Sequence, residues 1–261
     1  MGFVKTDAEV AALRELLREA RFVGGEMLSA SYRTDPTAVA AVLPPGLEPA
    51  AEPVARLVVG RWRSNCVGDF AGGALYLDSR RDGVEATYVV SMFMDRDVPA
   101  FFGRDLYGEP KKIARVSLFR QADRASGFIE RDGVRLIEVD ARLGADRGPS
   151  SGTSADFNVK ATLAADGQGL EHDATITLAQ YRAETVVDRP AAGTPLVRVR
   201  GTAHDPLDQL PVLEVLGAAY REGDMAATCR AIGTIPAEQF LPYALGRHDD
   251  YTLLDTERPA A

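Results

Sequence analysis

Apolar residues near the start of the chain recur at helical spacing. Val10, Leu13, Leu17 and Ala20 follow Thr6-Asp7-Ala8-Glu9, which has the form of a capping box. An amphipathic opening helix is therefore expected, ended by Gly24-Gly25. A strand is predicted over 27–32, and Asp35-Pro36 then supplies a cap and first-turn residue for a short helix through Leu43, stopped by Pro44-Pro45-Gly46. Beyond this point the period changes from helical to alternating. Runs rich in valine, aromatic and branched residues predict strands at 54–62, 74–77, 87–94, 117–120, 127–130 and 134–143. Further strands are predicted at 158–163, 174–178, 184–187 and 196–202. Asp132-Gly133 is a hairpin-turn signal, and Asp166-Gly167 is a second turn between strands. Pro206 and Pro211 bracket a loop, a helix is predicted over 212–220, and the tail containing Pro236, Pro242, Tyr243 and Tyr251 is expected to pack against the body. So many strands with short links predict an α+β chain, predominantly antiparallel β, closed or curled to hide its edges.

Composition narrows the class. The 261 residues are 46% apolar and 26% charged, with material for a large core and neither an internal repeat nor a linker, so a single domain over 1–261 with a helical extension at 1–23 is expected. A net charge of -8 argues against nucleic acid and anionic membrane surfaces as partners. Cys66 and Cys229 lack metal-ligand spacing, and His172, His204 and His248 are scattered, so neither a metal nor a cofactor is expected. Gly24-Gly25 and Gly72-Gly73 lack the context of a dinucleotide loop. With no signal-peptide core and no apolar run of ~20 residues, the expected setting is cytoplasmic, with reduced thiols.

Candidate chemistry concentrates in Phe101-Phe102-Gly103-Arg104-Asp105-Leu106-Tyr107-Gly108-Glu109-Pro110-Lys111-Lys112. A free lysine titrates near ~10.4 and is almost wholly protonated at pH 7. Two ammonium groups ~5 Å apart at an effective dielectric of ~20 repel by about 3 kcal/mol, and burial acts in the same direction. A crowded, poorly hydrated lysine amine would be free to attack a carbonyl and form an imine.

The run from Gly103 to Lys112 resembles the catalytic segment of the acetoacetate decarboxylase superfamily. Tyr32-Arg33-Thr34-Asp35, the 43–48 step, Met92-Phe93-Met94-Asp95 and the 204–212 stretch look like landmarks of that family in the expected order, so the resemblance covers about residues 24–225. It implies an antiparallel β-barrel or cone with an apolar internal cavity, assembled as a homo-oligomer. It also implies that Lys111 forms the imine, with Lys112 as its electrostatic neighbour. The family's arginine and two glutamates fall near Gly25, Val58, and Gly72 or Gly73, and none of these positions keeps the charged group. The resemblance therefore implies a Schiff-base lyase of aldolase-dehydratase type, acting on a small oxo acid or aldehyde. A β-keto acid decarboxylase with rebuilt acid–base groups and a non-catalytic ligand-binding protein stay as alternatives.

Such chemistry needs a proton carrier. Tyr107 is either a donor to a substrate carboxylate or hydroxyl, or a core aromatic. Glu109 is either a base facing the pocket or a surface partner of Lys112. Tyr243 is a further candidate, against a packing role. Arg61, next to Trp62, could clamp a substrate carboxylate or belong to a solvated strand face, and Arg104 is expected to brace the segment through Asp105 or Asp95.

Overall fold

A computed structural model of the chain describes residues 2–247 and residue 249. The opening helix, α1 (Asp7–Leu16), has its capping box: Thr6 Oγ1 accepts from Glu9 N, and the Glu9 carboxylate returns to Thr6 N. It buries no residue and ends at Leu17. Gly24-Gly25 therefore does not stop it, and the helical extension does not reach residue 23. Strand β1 (Ala20–Arg33) already begins at Ala20, whose backbone pairs with Ala227, and the two glycines lie where its register slips against a neighbour between Val23 and Glu26. Helix α2 (Pro36–Val42) follows its Asp35 cap.

Next come β2 (Glu48–Pro49), β3 (Val54–Ser64), β4 (Gly68–Arg81) and β5 (Val84–Met94). A short helix α3 (Asp97–Phe102) then runs into a single π-helical turn, Gly103–Tyr107. The remaining elements are β6 (Lys111–Ile113), β7 (Arg115–Gln121), β8 (Arg124–Arg131), β9 (Val134–Arg142), β10 (Ser150–Lys160), β11 (Ala174–Pro190), β12 (Leu196–Val199), β13 (Glu214–Ile235) and α4 (Ala237–Gly246). The 132–133 signal is a two-residue hairpin turn, with both residues at positive φ (50° and 78°). The helix expected over 212–220 is instead the start of β13, a 22-residue strand hydrogen-bonded to β1 on one edge and β11 on the other. A short apolar run satisfies both periods, and the two waiting edges decide it. The separate strands expected at 174–178 and 184–187 are one strand, β11, and the strand expected at 158–163 is the end of β10. Tyr251 and His248 lie outside the described residues.

Strands β4-β3-β1-β13-β11-β10-β5 close on themselves through the β4–β5 pairing, forming a seven-stranded barrel that is antiparallel except for β10 against β5. A second sheet, β12-β9-β8-β7, packs on the outside, burying Ile129, Leu136 and Ile137 against Leu28, Leu57 and Leu75 of the barrel wall. Alternation along each strand gives the wall two faces. The outer one carries that core; farther along it, Arg61, Arg182 and Arg230 are exposed. The inner one carries Trp62, Phe70, Ala74, Tyr76, Val89 and Met92, and continues through Asp156 and Tyr181. β6 extends β5 as a parallel partner, so Lys111 stands beside Met92 on the inner face and Lys112 beside Phe93 on the outer.

Candidate active site

The segment from α3 to β6 covers the inside of the barrel, and local chemistry fixes its path. The π-turn ends at Gly108, in the left-handed region at φ 79°, where an added Cβ would fall 2.5 Å from Lys160 N. Glu109 N donates to Gly103 O (3.1 Å), and Thr177 Oγ1 of β11 donates to Tyr107 O (2.5 Å). Around Pro110, Lys111 N donates to Glu109 O at 2.8 Å, a three-residue turn that sends both side chains the same way. Gly103 leaves the room they need, because a side chain there would overlap Glu109 Oε2 and Lys111 Nζ.

Lys111 Nζ lies 2.7 Å from Glu109 Oε2 and donates to Pro99 O at 3.1 Å, with side-chain exposures of 9% and 6% for the ion pair. A cavity of about 30 Å³ opens beside them. Its apolar walls are Phe22, Val67, Phe70 and Phe102, and its polar points besides the ion pair are Ser64, Tyr107 and Tyr181. Tyr107 stacks obliquely on Phe102 at 5.5 Å, and burial pushes its phenol well above the usual range. Tyr107 also lines a larger open groove of about 610 Å³, which carries Arg18, Lys160, His172 and Arg230 against Asp173. Tyr107 therefore borders both the small cavity and the open groove.

The two lysines do not crowd each other. Successive side chains of a strand point to opposite faces, and Lys112 Nζ instead donates to His204 O (2.6 Å) and Asp205 Oδ1 (2.8 Å). Arg131 completes this outer network through Asp205 (2.7 Å) and Asp249 (2.8 Å). The repulsion expected from adjacency in sequence is absent from this geometry. Glu109, correspondingly, is a buried partner of Lys111 and not a surface partner of Lys112.

Arg61 is on the outer face, one residue out of phase with Trp62, and makes a bidentate bridge to Glu26 at 3.0 and 2.9 Å. It cannot reach the cavity. Glu26 is held below the ordinary carboxylate range, chiefly by that guanidinium, with burial opposing. Tyr243 of α4 stacks on Phe240 at 5.9 Å against the outer core, away from Lys111. Arg104 braces the segment through a long contact to Lys111 O (3.4 Å), whereas Asp95 accepts from Ala71 N. Among the described residues there is no cluster able to hold a metal ion, and Cys66 and Cys229 are unpaired thiols.

The positions that the resemblance assigns to charged groups are occupied in another sense. A Cβ on Gly25 would fall 2.7 Å from Trp62 Cδ1, and one on Gly72 would fall 2.6 Å from Met94 Cε. The Trp62 indole and the Met94 thioether fill that part of the inner face.

Residue patterning alone misses two inner-face groups, Asp156 and Tyr181. Asp156 accepts from Thr87 Oγ1 and has Tyr181 as its diagonal neighbour across the β10–β11 pairing. Burial pushes its carboxyl up to about 7; the nearby Glu109 charge adds to the rise, while the Thr87 hydrogen bond and the neighbouring Tyr181 phenol oppose it. Tyr76, Asp156 and Tyr181 lie deep in the molecule yet are only partly covered, as side chains bordering internal space are. In Ala155-Asp156-Phe157-Asn158-Val159 the alternation reads as one buried and one solvated face. A polar interior writes the same pattern as solvent.

The family model for acetoacetate decarboxylase matches residues 9–231. The chain belongs to the acetoacetate decarboxylase family. Acetoacetate decarboxylase from Chromobacterium violaceum is 31% identical over 207 residues, covering 77% of this chain and 82% of that one. Acetoacetate decarboxylase 2 of Mesorhizobium japonicum is 29% identical over 231 residues, with 85% and 84% covered. Among solved structures, the acetoacetate decarboxylase of Legionella pneumophila superposes with a TM-score of 0.74 at 21% identity, covering 82% and 87% of the two chains. The enduracididine biosynthesis enzyme MppR, complexed with pyruvate, gives 0.69 at 17% identity over 82% and 90%. An acetoacetate decarboxylase-like enzyme from Sphingomonas wittichii gives 0.71 at 16% over 84% and 94%. The last three likenesses concern the fold, which is that of the family. No helix of the described residues is long and apolar enough to cross a membrane.

Proposed function

We propose that this family member is a lyase that forms an imine between Lys111 Nζ and a small oxo acid, and uses it for aldolase-dehydratase chemistry. The observation that carries this reading is the Lys111–Glu109 pair at 2.7 Å, enclosed beside a mostly apolar cavity. The Glu109 carboxylate takes a proton from the ammonium, and the amine adds to the substrate carbonyl. Returning the proton to the carbinolamine oxygen expels water and leaves the iminium, an electron sink for the neighbouring carbon. Lys112 has no part in these steps; its role is to anchor β6 through Asp205.

Two features favour an oxo acid in aldol-type chemistry. The groove beyond Tyr107 presents Arg18, paired with Glu15, and also Lys160 and Arg230 against Asp173, a net positive field that draws a small anion. Where the resemblance places an arginine and two glutamates, Trp62 packs on Gly25, Met94 packs on Gly72 and the third position is Val58, which leaves no charged group at these positions to manage a departing carboxylate. The relative at 31% identity supports a second reading, a β-keto acid decarboxylase with rebuilt acid–base groups. The homo-oligomer typical of the family belongs to this proposal as well.

Borohydride reduction in the presence of pyruvate, and separately acetoacetate, tests both readings. A reduced adduct located on Lys111 by mass spectrometry is expected with pyruvate, and carbon dioxide release from acetoacetate would favour the second reading. An unmodified Lys111 with both acids refutes the imine and leaves a ligand-binding protein of the same fold.

A further inference from the structure

The inner face of the barrel holds one ionisable group that imine formation does not use. Asp156 of β10 meets Thr87 of β5 in register and accepts a hydrogen bond from its hydroxyl, and Tyr181 of β11 lies beside it on the inner face, diagonal to it across the β10–β11 pairing. Tyr181 in turn lines the Lys111 cavity. Tyr76 of β4 faces the same aspartate, and Glu109 approaches from the segment that covers the barrel. Among the described residues, the hydrogen bond to the Asp156 carboxyl comes from the Thr87 hydroxyl, and it has no ion pair with a lysine or arginine to neutralise it. A carboxyl kept in that setting holds or releases a proton readily near neutrality, and burial has moved it up to about 7. Tyr181, by contrast, is pushed well above the usual phenol range and keeps its own proton unless a neighbour accepts it.

Two proton tasks follow once an imine exists, and they lie at different atoms. Glu109 sits on the nitrogen, 2.7 Å from Nζ. The carbon next to the imine carbon needs a separate acid–base group. We propose that Tyr181, coupled to Asp156, is the group that exchanges a proton with that carbon. The inference rests on the imine reading of Lys111. In the forward step the C–H bond breaks, its electron pair becomes the enamine double bond, and the C=N pair withdraws onto nitrogen. The released proton goes to the Tyr181 oxygen as the original phenol proton passes to the Asp156 carboxylate. Reversal protonates the carbon and restores both side chains, so no outside oxidant or reductant enters.

Exchange of the pyruvate methyl protons in deuterium oxide, followed by proton NMR, tests the step apart from imine formation. The wild-type protein is expected to catalyse exchange with a rate that climbs as Asp156 ionises, through a limb near pH 7. Tyr181→Phe keeps the ring; it should still give the borohydride-trapped adduct on Lys111 while exchange falls by about 10²-fold or more. Asp156→Asn should also trap normally, exchange more slowly, and lose the limb. Exchange in Tyr181→Phe within about threefold of wild type, or a limb that persists in Asp156→Asn, overturns the assignment. Failure of the wild-type protein to form any adduct overturns the imine reading itself, and the two failures are thereby told apart.

Discussion

The buried Lys111–Glu109 pair makes a prediction about stability that is independent of turnover. At 2.7 Å and an effective dielectric of about 20, the attraction is about 6 kcal/mol. Desolvation of two ions costs several kcal/mol each, so the pair as a whole is close to neutral for folding. Removing one member is different. Lys111→Met strands a carboxylate that is 6% exposed beside phenyl rings, and stranding a buried charge costs about 3–5 kcal/mol. That cost has a ceiling, because the glutamate can take up a proton. At pH 7, protonating an ordinary carboxyl near ~4.3 requires about 3.7 kcal/mol. Lys111→Met should therefore lose about 3–4 kcal/mol at pH 7, read as a lower urea midpoint at unchanged slope. Lys111→Met combined with Glu109→Gln should recover most of that loss, and the trapped adduct should be absent from both proteins. A single variant as stable as wild type, or a double variant that recovers nothing, would refute the picture of a paired, dry lysine.

Two further outcomes follow from the same geometry. Lys112→Met should lose about 2–3 kcal/mol, less than a fully stranded charge because Asp205 keeps Arg131 at 2.7 Å, while Lys111 still traps pyruvate within about threefold of wild type; a folded variant that no longer traps would restore the case for repulsion between the lysines. Asp156 sets a pH dependence of stability: its carboxyl is raised in the folded state from the reference value of 3.8 to about 7, so the native protein binds the extra proton. Stability should fall by up to about 4 kcal/mol as pH rises from 4 to 7 and level off above, and Asp156→Asn should flatten that slope in urea midpoints measured against pH.

How much of this was legible in the sequence depends on what each residue faces. The capping box, the 132–133 hairpin and the alternation of β3, β4 and β5 announce themselves because local chemistry decides them. The start of β13 does not, because Val212, Leu213, Leu216 and Tyr220 fit a helix as well as a strand until both barrel edges are present. The segment from 101 to 114 is legible as a site through its resemblance to a family, but adjacency in sequence does not reveal the relation between its lysines. Neighbours in sequence are opposites on a strand, and the repulsion that works in a loop vanishes once β6 pairs with β5. Arg61 and Trp62 repeat the lesson: one residue of phase separates an outer-face bridge to Glu26 from an indole inside the barrel.

The same phase rule explains how one barrel can carry different chemistries. Lys111 and Glu109 are set by a short covering segment whose geometry is fixed by Gly103, Gly108, Pro110 and the Thr177 hydroxyl. The rest of the inner face comes from separate strands: Trp62 from β3, Tyr76 from β4, Asp156 from β10 and Tyr181 from β11. Each inner-face position can change without altering the outer core, because its strand neighbours point the other way. In this chain Trp62 and Met94 press on glycines at two of the family's charged positions, while an acid appears on β10, at a position where alternation hides it among solvated residues. In the proposed mechanism the electron sink and the proton carrier thus come from separate parts of the structure. If Lys111 forms the proposed imine, substitution on the strands can redirect its fate and leave Lys111 itself undisturbed.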